Sequence, residues 1–354
     1  MATIGPRVAP PRYPPKPRRG DRVAVVSPSS GLPGLFPVPF ELGLARLRDD
    51  FGLIPVEYPT TRRMGSSPLD RAADLHAAFA DPTIAAVVSS IGGDDQITVL
   101  RHLDRDLIAA NPKPFFGYSD NTNLLAFLWN CGIVGYHGGS VMVQFGRPGG
   151  MHPLTRASLE AALFTSGPFE LPEPDASGDV DRPWTDPATF RTEPPLEPCE
   201  PWTWQAADRV VEGIAWGGNL EIVSWLAMAD AEIGPPAAYE GGVLVIETSE
   251  EMPGATEVER VLRNLGERGL LRSFAAVLVG RAKAWSFERP LDADAKRAYR
   301  RAQRAAIDAA FQAYGEDPLI VFDVDLGHTD PQLVIPIGGL VRVDGSARRI
   351  TVTY

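Results

Sequence analysis

Cysteine is almost missing from this chain of 354 residues: Cys131 and Cys199 are the only two, and they form no CxxC pair. A disulfide-stapled scaffold and the commonest thiolate zinc sites are thereby excluded. Lysine is nearly as scarce. The four lysines, Lys16, Lys113, Lys283 and Lys296, are followed by Pro, Pro, Ala and Arg, so there is no GxxxxGK[ST] loop and no P-loop ATPase. The first predicted strand runs into Val25-Val26-Ser27-Pro28-Ser29-Ser30-Gly31, which lacks the GxGxxG dinucleotide fingerprint. The five histidines, His76, His102, His137, His152 and His328, show neither HxH nor HExxH spacing, which leaves a histidine-rich zinc site without support. Metal: none, and cofactors: none, are the expectations. No apolar run approaches the ~20 residues of a membrane-spanning helix. Positive charge is also short, and a net charge of −11 repels phosphodiester backbones and anionic lipid, so neither a nucleic acid polymer nor a membrane is an expected partner.

What remains is the composition of a folded globular protein, 44% hydrophobic and 22% charged, long enough for two domains with their own cores. Residues 1–20 read as an extended arm, with Arg7, Arg12, Lys16, Arg18 and Arg19 among prolines and no apolar segment of a signal peptide. From 21 to 166, short β-branched runs (22–26, 54–58, 84–90, 114–118) alternate with helical patterns (39–51, 69–79, 96–103, 121–130). This βα alternation predicts a flavodoxin-like or Rossmann-like parallel sheet covered on both faces, with its ligand beyond the strands' C-terminal ends. The pattern breaks over 167–205. Residues 167–201 hold nine prolines and nine carboxylates against Arg182 and Arg191, which excludes a regular helix or central strand. Trp184, Trp202 and Trp204 within this connector mark either a lid or aromatic pins to the domains. From 206 to 354 a second, smaller α/β domain is expected, with strands at 242–247, 274–279 and 319–324, helices opening at Asn219 and spanning 257–267 and 293–314, and short strands at the C-terminus.

Chemistry gathers at strand ends. Phe115-Phe116-Gly117-Tyr118 leads straight into Ser119 and a helix, the layout of a nucleophile elbow, in which the amide of the next residue, Asp120, can face an oxyanion. An ordinary N-cap by Ser119, Asp120 or Asn121 is the alternative. Gly92-Gly93, after the strand at 84–90, allows a backbone amide, of Gly93 or Asp94, to serve as second oxyanion donor. A serine nucleophile needs a histidine base held by a carboxylate. His328, just past one strand, and Glu247, ending another, are the best placed candidates, in the order Ser, Glu, His. Arg281 is a candidate for gripping a substrate anion, or else half of a surface ion pair. Glu250 and Glu251, beside Glu247, are expected to face solvent.

Gly117-Tyr118-Ser119-Asp120, Gly92-Gly93, Gly217-Gly218-Asn219-Leu220, Glu247-Thr248-Ser249-Glu250 and Gly327-His328-Thr329 together resemble, in order and spacing, the LD-carboxypeptidase family of serine peptidases. The connector and the length look more like its microcin C self-immunity branch, which cleaves the amide between a C-terminal aspartyl residue and a modified nucleotide. The resemblance implies Ser119 as nucleophile, His328 as base and then acid, Glu247 as its orienting partner, and backbone amides of Gly93 and Asp120 for the oxyanion. It also implies substrate contacts from Asn219 and from an aromatic among Trp184, Trp202 and Trp204, a small-molecule or short-peptide substrate, a cytoplasmic homodimer, and no cofactor. A murein LD-carboxypeptidase and a non-catalytic two-domain binding protein are the alternatives.

Overall fold

The computed structural model describes residues 12–354, so most of the expected N-terminal arm lies outside the described residues. Where the arm is described it lies along the first domain: the Arg12 amide donates to Gly132 O at 3.2 Å and Lys16 Nζ to Tyr136 Oη at 2.5 Å. The first half of the chain builds β1 (Arg22–Val26), α1 (Pro37–Asp49), β2 (Ile54–Glu57), α2 (Pro68–Ala80), β3 (Ile84–Ser89), α3 (Ile97–Leu100), α4 (Arg105–Ala110), β4 (Phe115–Gly117), α5 (Thr122–Asn130), β5 (Gly135–His137) and α6 (Pro153–Phe164). β1 to β5 pair in parallel in the order β5-β4-β3-β1-β2. β3 reads Ile-Ala-Ala-Val-Val-Ser and is almost wholly buried, as a parallel strand covered on both faces must be. Of the helix expected at 96–103 only one turn, α3, forms; a further helix that the sequence pattern does not predict, α4, follows it, and Asp104 caps it by accepting from the Leu107 amide at 2.9 Å.

The remainder forms β6 (Pro168–Glu170), β7 (Ala176–Ser177), β8 (Glu197–Pro198), β9 (Thr203–Gln205), β10 (Val210–Asn219), α7 (Leu220–Met228), β11 (Gly242–Glu247), α8 (Ala255–Glu267), β12 (Phe274–Gly280), α9 (Ala293–Tyr314), β13 (Leu319–Val324), β14 (Ile335–Ile337), β15 (Leu340–Asp344) and β16 (Arg349–Thr353). The second sheet runs β6-β16-β15-β10-β11-β12-β13-β9, parallel in its β10 to β13 centre. Both ends of the proline-rich segment are thus edge strands of this sheet, where missing amide donors do least harm. Its middle is held down by Asp179, which is buried and accepts from Arg300 Nη2 at 2.7 Å, from Lys296 and from the Ala284 amide.

One expectation about the tail is corrected. β14 does not join the other C-terminal strands but pairs antiparallel with β5, Ile335 facing His137, as the edge of the first sheet. α5, apolar on nearly every side, is buried between the first sheet and the β10 and α7 of the second. The C-terminal ends of β3, β4 and β5 therefore face those of β10 and β11.

Candidate active site

β4 is an interior strand, and the chain leaves it through Tyr118 and turns sharply at Ser119, whose φ is +60°. A non-glycine residue in this left-handed region costs on the order of 1 kcal/mol and is the signature of a strained elbow. The side chain of Ser119 is half-buried and caps no helix, and neither Asp120 nor Asn121 caps α5, so the capping alternative does not hold. Gly92 lies directly above: a Cβ there would come within 3.0 Å of Ser119 Cβ and 3.2 Å of its Oγ, so only glycine lets this backbone cross the elbow. The neighbouring Gly93 is exposed.

The Gly92-Gly93 turn is fastened from below. Asp120 is fully buried, and its Oδ2 accepts from the Gln96 amide at 2.9 Å while its Oδ1 accepts from Asn123 Nδ2 at 2.8 Å. Gln96, also buried, accepts from the Leu124 amide through Oε1 and donates to Ser29 and Asn121 through Nε2. Burial pushes the Asp120 carboxyl up to about 6 even against these hydrogen bonds. The Asp120 side chain is thus a fastener, while its amide is the group beside the nucleophile.

From the second sheet, β11 ends in Glu247, 2% exposed, in register with Asn219 at the end of β10. The Glu247 carboxylate is enclosed by two glycines: a Cβ at Gly280 would sit 2.5 Å from Glu247 Cβ, and one at Gly327 would sit 2.6 Å from Oε2. His328 follows Gly327, and its Nδ1 meets Glu247 Oε2 at 2.6 Å. Burial works to lower the His328 value, but the Glu247 charge and hydrogen bond prevail, with Glu250 and Glu221 adding, and raise it to about 9. Burial likewise works to raise Glu247, but the imidazolium dominates and holds the carboxyl below its ordinary value, helped by the Asn219 amide. The second histidine, His137 at the end of β5, is pushed by burial down to about 4 and stays neutral.

The two halves meet at Tyr118, whose ring lies 4.9 Å from that of His328 between centroids. Among the described residues Ser119 Oγ accepts and donates no hydrogen bond; catalytic hydrogen bonds of this kind often close only around a ligand. Cross-links that sequence reasoning missed hold the interface in place. Thr122 Oγ1 accepts from the Asn219 amide at 3.0 Å. Gln332 donates to Gly327 O at 2.8 Å and accepts from the Gly139 amide at 3.0 Å, and Arg147 donates to Asp330 at 2.8 Å. Nothing in the local pattern around Gln332 or Arg147 marks them, because Gly139 and Asp330, their partners across the interface, are more than 180 positions away.

The remaining candidates divide. Asn219 belongs to the site, as neighbour of Glu247 and as N-cap of α7, accepting from the Ile222 amide at 3.0 Å. Trp184 is half-buried and packs edge-on against Phe36 of the first domain at 5.7 Å. Trp202 is buried and donates to Asp325 at 2.9 Å, and Trp204 lies in edge strand β9, so both anchor the connector. Arg281 is neither a free cation nor half of a surface pair: it is 3% exposed and bound to the fully buried Asp325 at 2.8 Å. Glu250 and Glu251 are exposed, as expected. The Glu250 side chain is 58% exposed, yet its Oε2 also stands 3.4 Å from His328 Nε2, the nitrogen left free by Glu247. Among the described residues no cluster of His, Cys, Asp and Glu is arranged to hold a metal ion, and no helix is long and apolar enough to cross a membrane.

Comparison with known proteins identifies the family and the fold. The LD-carboxypeptidase N-terminal domain matches residues 23–138 and the LD-carboxypeptidase C-terminal domain residues 212–343. A Treponema pallidum protein named as a carboxypeptidase is 30% identical over 82% of this chain and 79% of its own. The microcin C7 self-immunity protein of Escherichia coli is 25% identical over 80% of this chain and 78% of its own. A solved structure of a microcin C7 self-immunity protein in complex with aspartyl sulfamoyl adenosine shares the fold at a TM-score of 0.83, with 24% identity, 97% of this chain and 99% of that one covered. The chain belongs to the LD-carboxypeptidase family of serine peptidases.

Proposed function

We propose that this peptidase hydrolyses an amide through Ser119, His328 and Glu247, on peptidyl or aminoacyl nucleotide substrates of the kind bound by its microcin-immunity relative. The observation that carries the reading is the 2.6 Å contact between the imidazole and a buried carboxylate, brought against the Tyr118-Ser119 elbow from the other half of the chain. In its deprotonated form His328 takes the Ser119 proton on Nε2 while Oγ attacks the substrate carbonyl. The amides of Gly93 and Asp120 stabilise the oxyanion. The imidazolium then protonates the leaving nitrogen, and water, activated by the same base, releases the acyl group. Glu247 fixes the tautomer and stabilises the charged intermediate without taking the proton. Trp184, half-buried and part of neither a strand nor, among the described residues, a buried hydrogen bond, is the candidate to stack on a nucleobase. The two free cysteines suit a reducing cytoplasm.

The test is turnover of an aminoacyl sulfamoyl adenosine, together with labelling by a fluorophosphonate. Wild-type protein should hydrolyse the amide and carry one label on Ser119, and Ser119→Ala should do neither. Equal turnover by Ser119→Ala overturns the reading.

A further inference from the structure

Glu250 stands on the reactive side of the base, and the loop that carries it is firmly built. Glu221, half-buried at the start of α7, accepts from both the amide and the hydroxyl of Ser249, at 2.8 and 2.7 Å. Downstream, Arg289 donates to Met252 O at 3.0 Å, and Tyr299 and Gln303 donate to Pro253 O. The backbone on either side of Glu250 is therefore fixed, and its exposed side chain reaches to 3.4 Å from His328 Nε2. The surrounding mouth has the same sign. Glu251 is pushed up first by partial burial and then by Glu250 and Asp94, which places all three carboxylates in one field. Arg289 is committed to Met252 O and to the face of Tyr299, while Lys283 pairs with Asp181, Arg281 with Asp325, and Lys296 and Arg300 with Asp179.

An imidazole with a carboxylate at each ring nitrogen is held as imidazolium and cannot accept the Ser119 proton. We propose that Glu250 is the specificity-determining residue of this site, selecting a substrate whose aminoacyl side chain carries an ammonium or guanidinium group and yielding its carboxylate to that cation, so that His328 Nε2 is freed to face Ser119. The exchange balances. One positive charge arrives with the ligand, the Nε2 proton leaves to water, and Glu250 exchanges one cationic partner for the other. An anionic aminoacyl side chain does the reverse: it meets Glu250, Glu251 and Asp94 directly and strengthens the imidazolium. The inference rests on the proposed hydrolase reading and narrows its substrate to a basic aminoacyl or peptidyl group.

The test measures binding by titration calorimetry to Ser119→Ala protein, with lysyl and aspartyl sulfamoyl adenosine as paired ligands, at pH 8 in two buffers of different ionisation enthalpy. The lysyl ligand should bind at least tenfold tighter and release protons, and the aspartyl ligand should release none. Adding Glu250→Gln should erase the preference by tenfold or more together with the proton release, and Glu250→Lys should invert the preference. Tighter aspartyl binding, or proton release unchanged by Glu250→Gln, overturns the role of Glu250. Absence of binding by either ligand also overturns it. Since no chemistry occurs in the Ser119→Ala background, these outcomes are separate from failure of the hydrolase reading, which shows as a wild type that turns over neither ligand.

Discussion

Replacing Glu247 by Gln keeps the shape of the buried side chain and removes its charge. The wild-type imidazole titrates at about 9 instead of 6.5, a preference for the protonated form worth roughly 3 kcal/mol. Burial opposes that preference, so without the carboxylate His328 should titrate at or below 6.5, only Glu250 and Glu221 still acting to raise it. Two signatures follow. kcat/KM of the wild type should climb with pH to a midpoint near 9, because the free base is the active form; in Glu247→Gln the midpoint should move below 7 while the plateau falls by about 10²–10⁴-fold through loss of the correct tautomer. Stability should change with the opposite sense. A histidine whose value is raised in the folded state contributes fully below pH 6.5 and loses that contribution as pH rises through about 9. Urea unfolding should therefore show the variant most destabilised near pH 6, the gap to wild type narrowing by roughly 2–3 kcal/mol by pH 10. The assay is a pair of pH–rate profiles with an NMR titration of the His328 ring. An unchanged midpoint in Glu247→Gln would refute the reasoning, since it would mean that the 2.6 Å contact does not control the proton.

Gly327→Ala should place a methyl 2.6 Å from Glu247 Oε2, lowering stability by about 1–3 kcal/mol and kcat by far more than that shift in Tm suggests; thermal melts beside kinetics check this. Thr122→Val removes the acceptor of the Asn219 amide one turn from the nucleophile; a loss of about 1–3 kcal/mol from the stranded donor is expected, with kcat reduced and KM little changed. Trp202→Phe takes the indole donor from buried Asp325 and should cost about 1–3 kcal/mol in urea unfolding without altering KM. Trp184→Ala, by contrast, should raise KM for nucleoside-bearing substrates and leave the melting temperature nearly unchanged.

The first half of the chain was legible because its strands are buried on both faces and its helices announce themselves by periodicity; α9 was readable end to end for the same reason. The strand-end positions of Ser119, Glu247 and His328 were equally plain, each following an apolar run. What stayed hidden was non-local. β14 is three residues long, and its own sequence says nothing about which sheet has a free edge. α4 is only six residues long and follows a broken helical stretch, so its short apolar pattern does not announce a second helix. Arg281 looked available because the carboxylate that binds it lies 44 positions later. Trp202 and Trp204 could not be told from Trp184, since what distinguishes them is Asp325 and β13, not their neighbours. Glu250 was assigned to solvent from its charge, and its side chain is indeed largely wet; its aim at an imidazole is set by a loop anchored on Glu221.

The ten residues between β13 and β14 start in one sheet and finish in the other, with His328 near the middle of that span. The base is therefore mounted like a bead on a taut cord strung between two boards. Any sliding of one board past the other would tug on this ring before it disturbed either board's own interior. Agents that only loosen the seam, such as modest pressure or a trace of urea, should accordingly silence the enzyme well before spectroscopic signs of unfolding emerge.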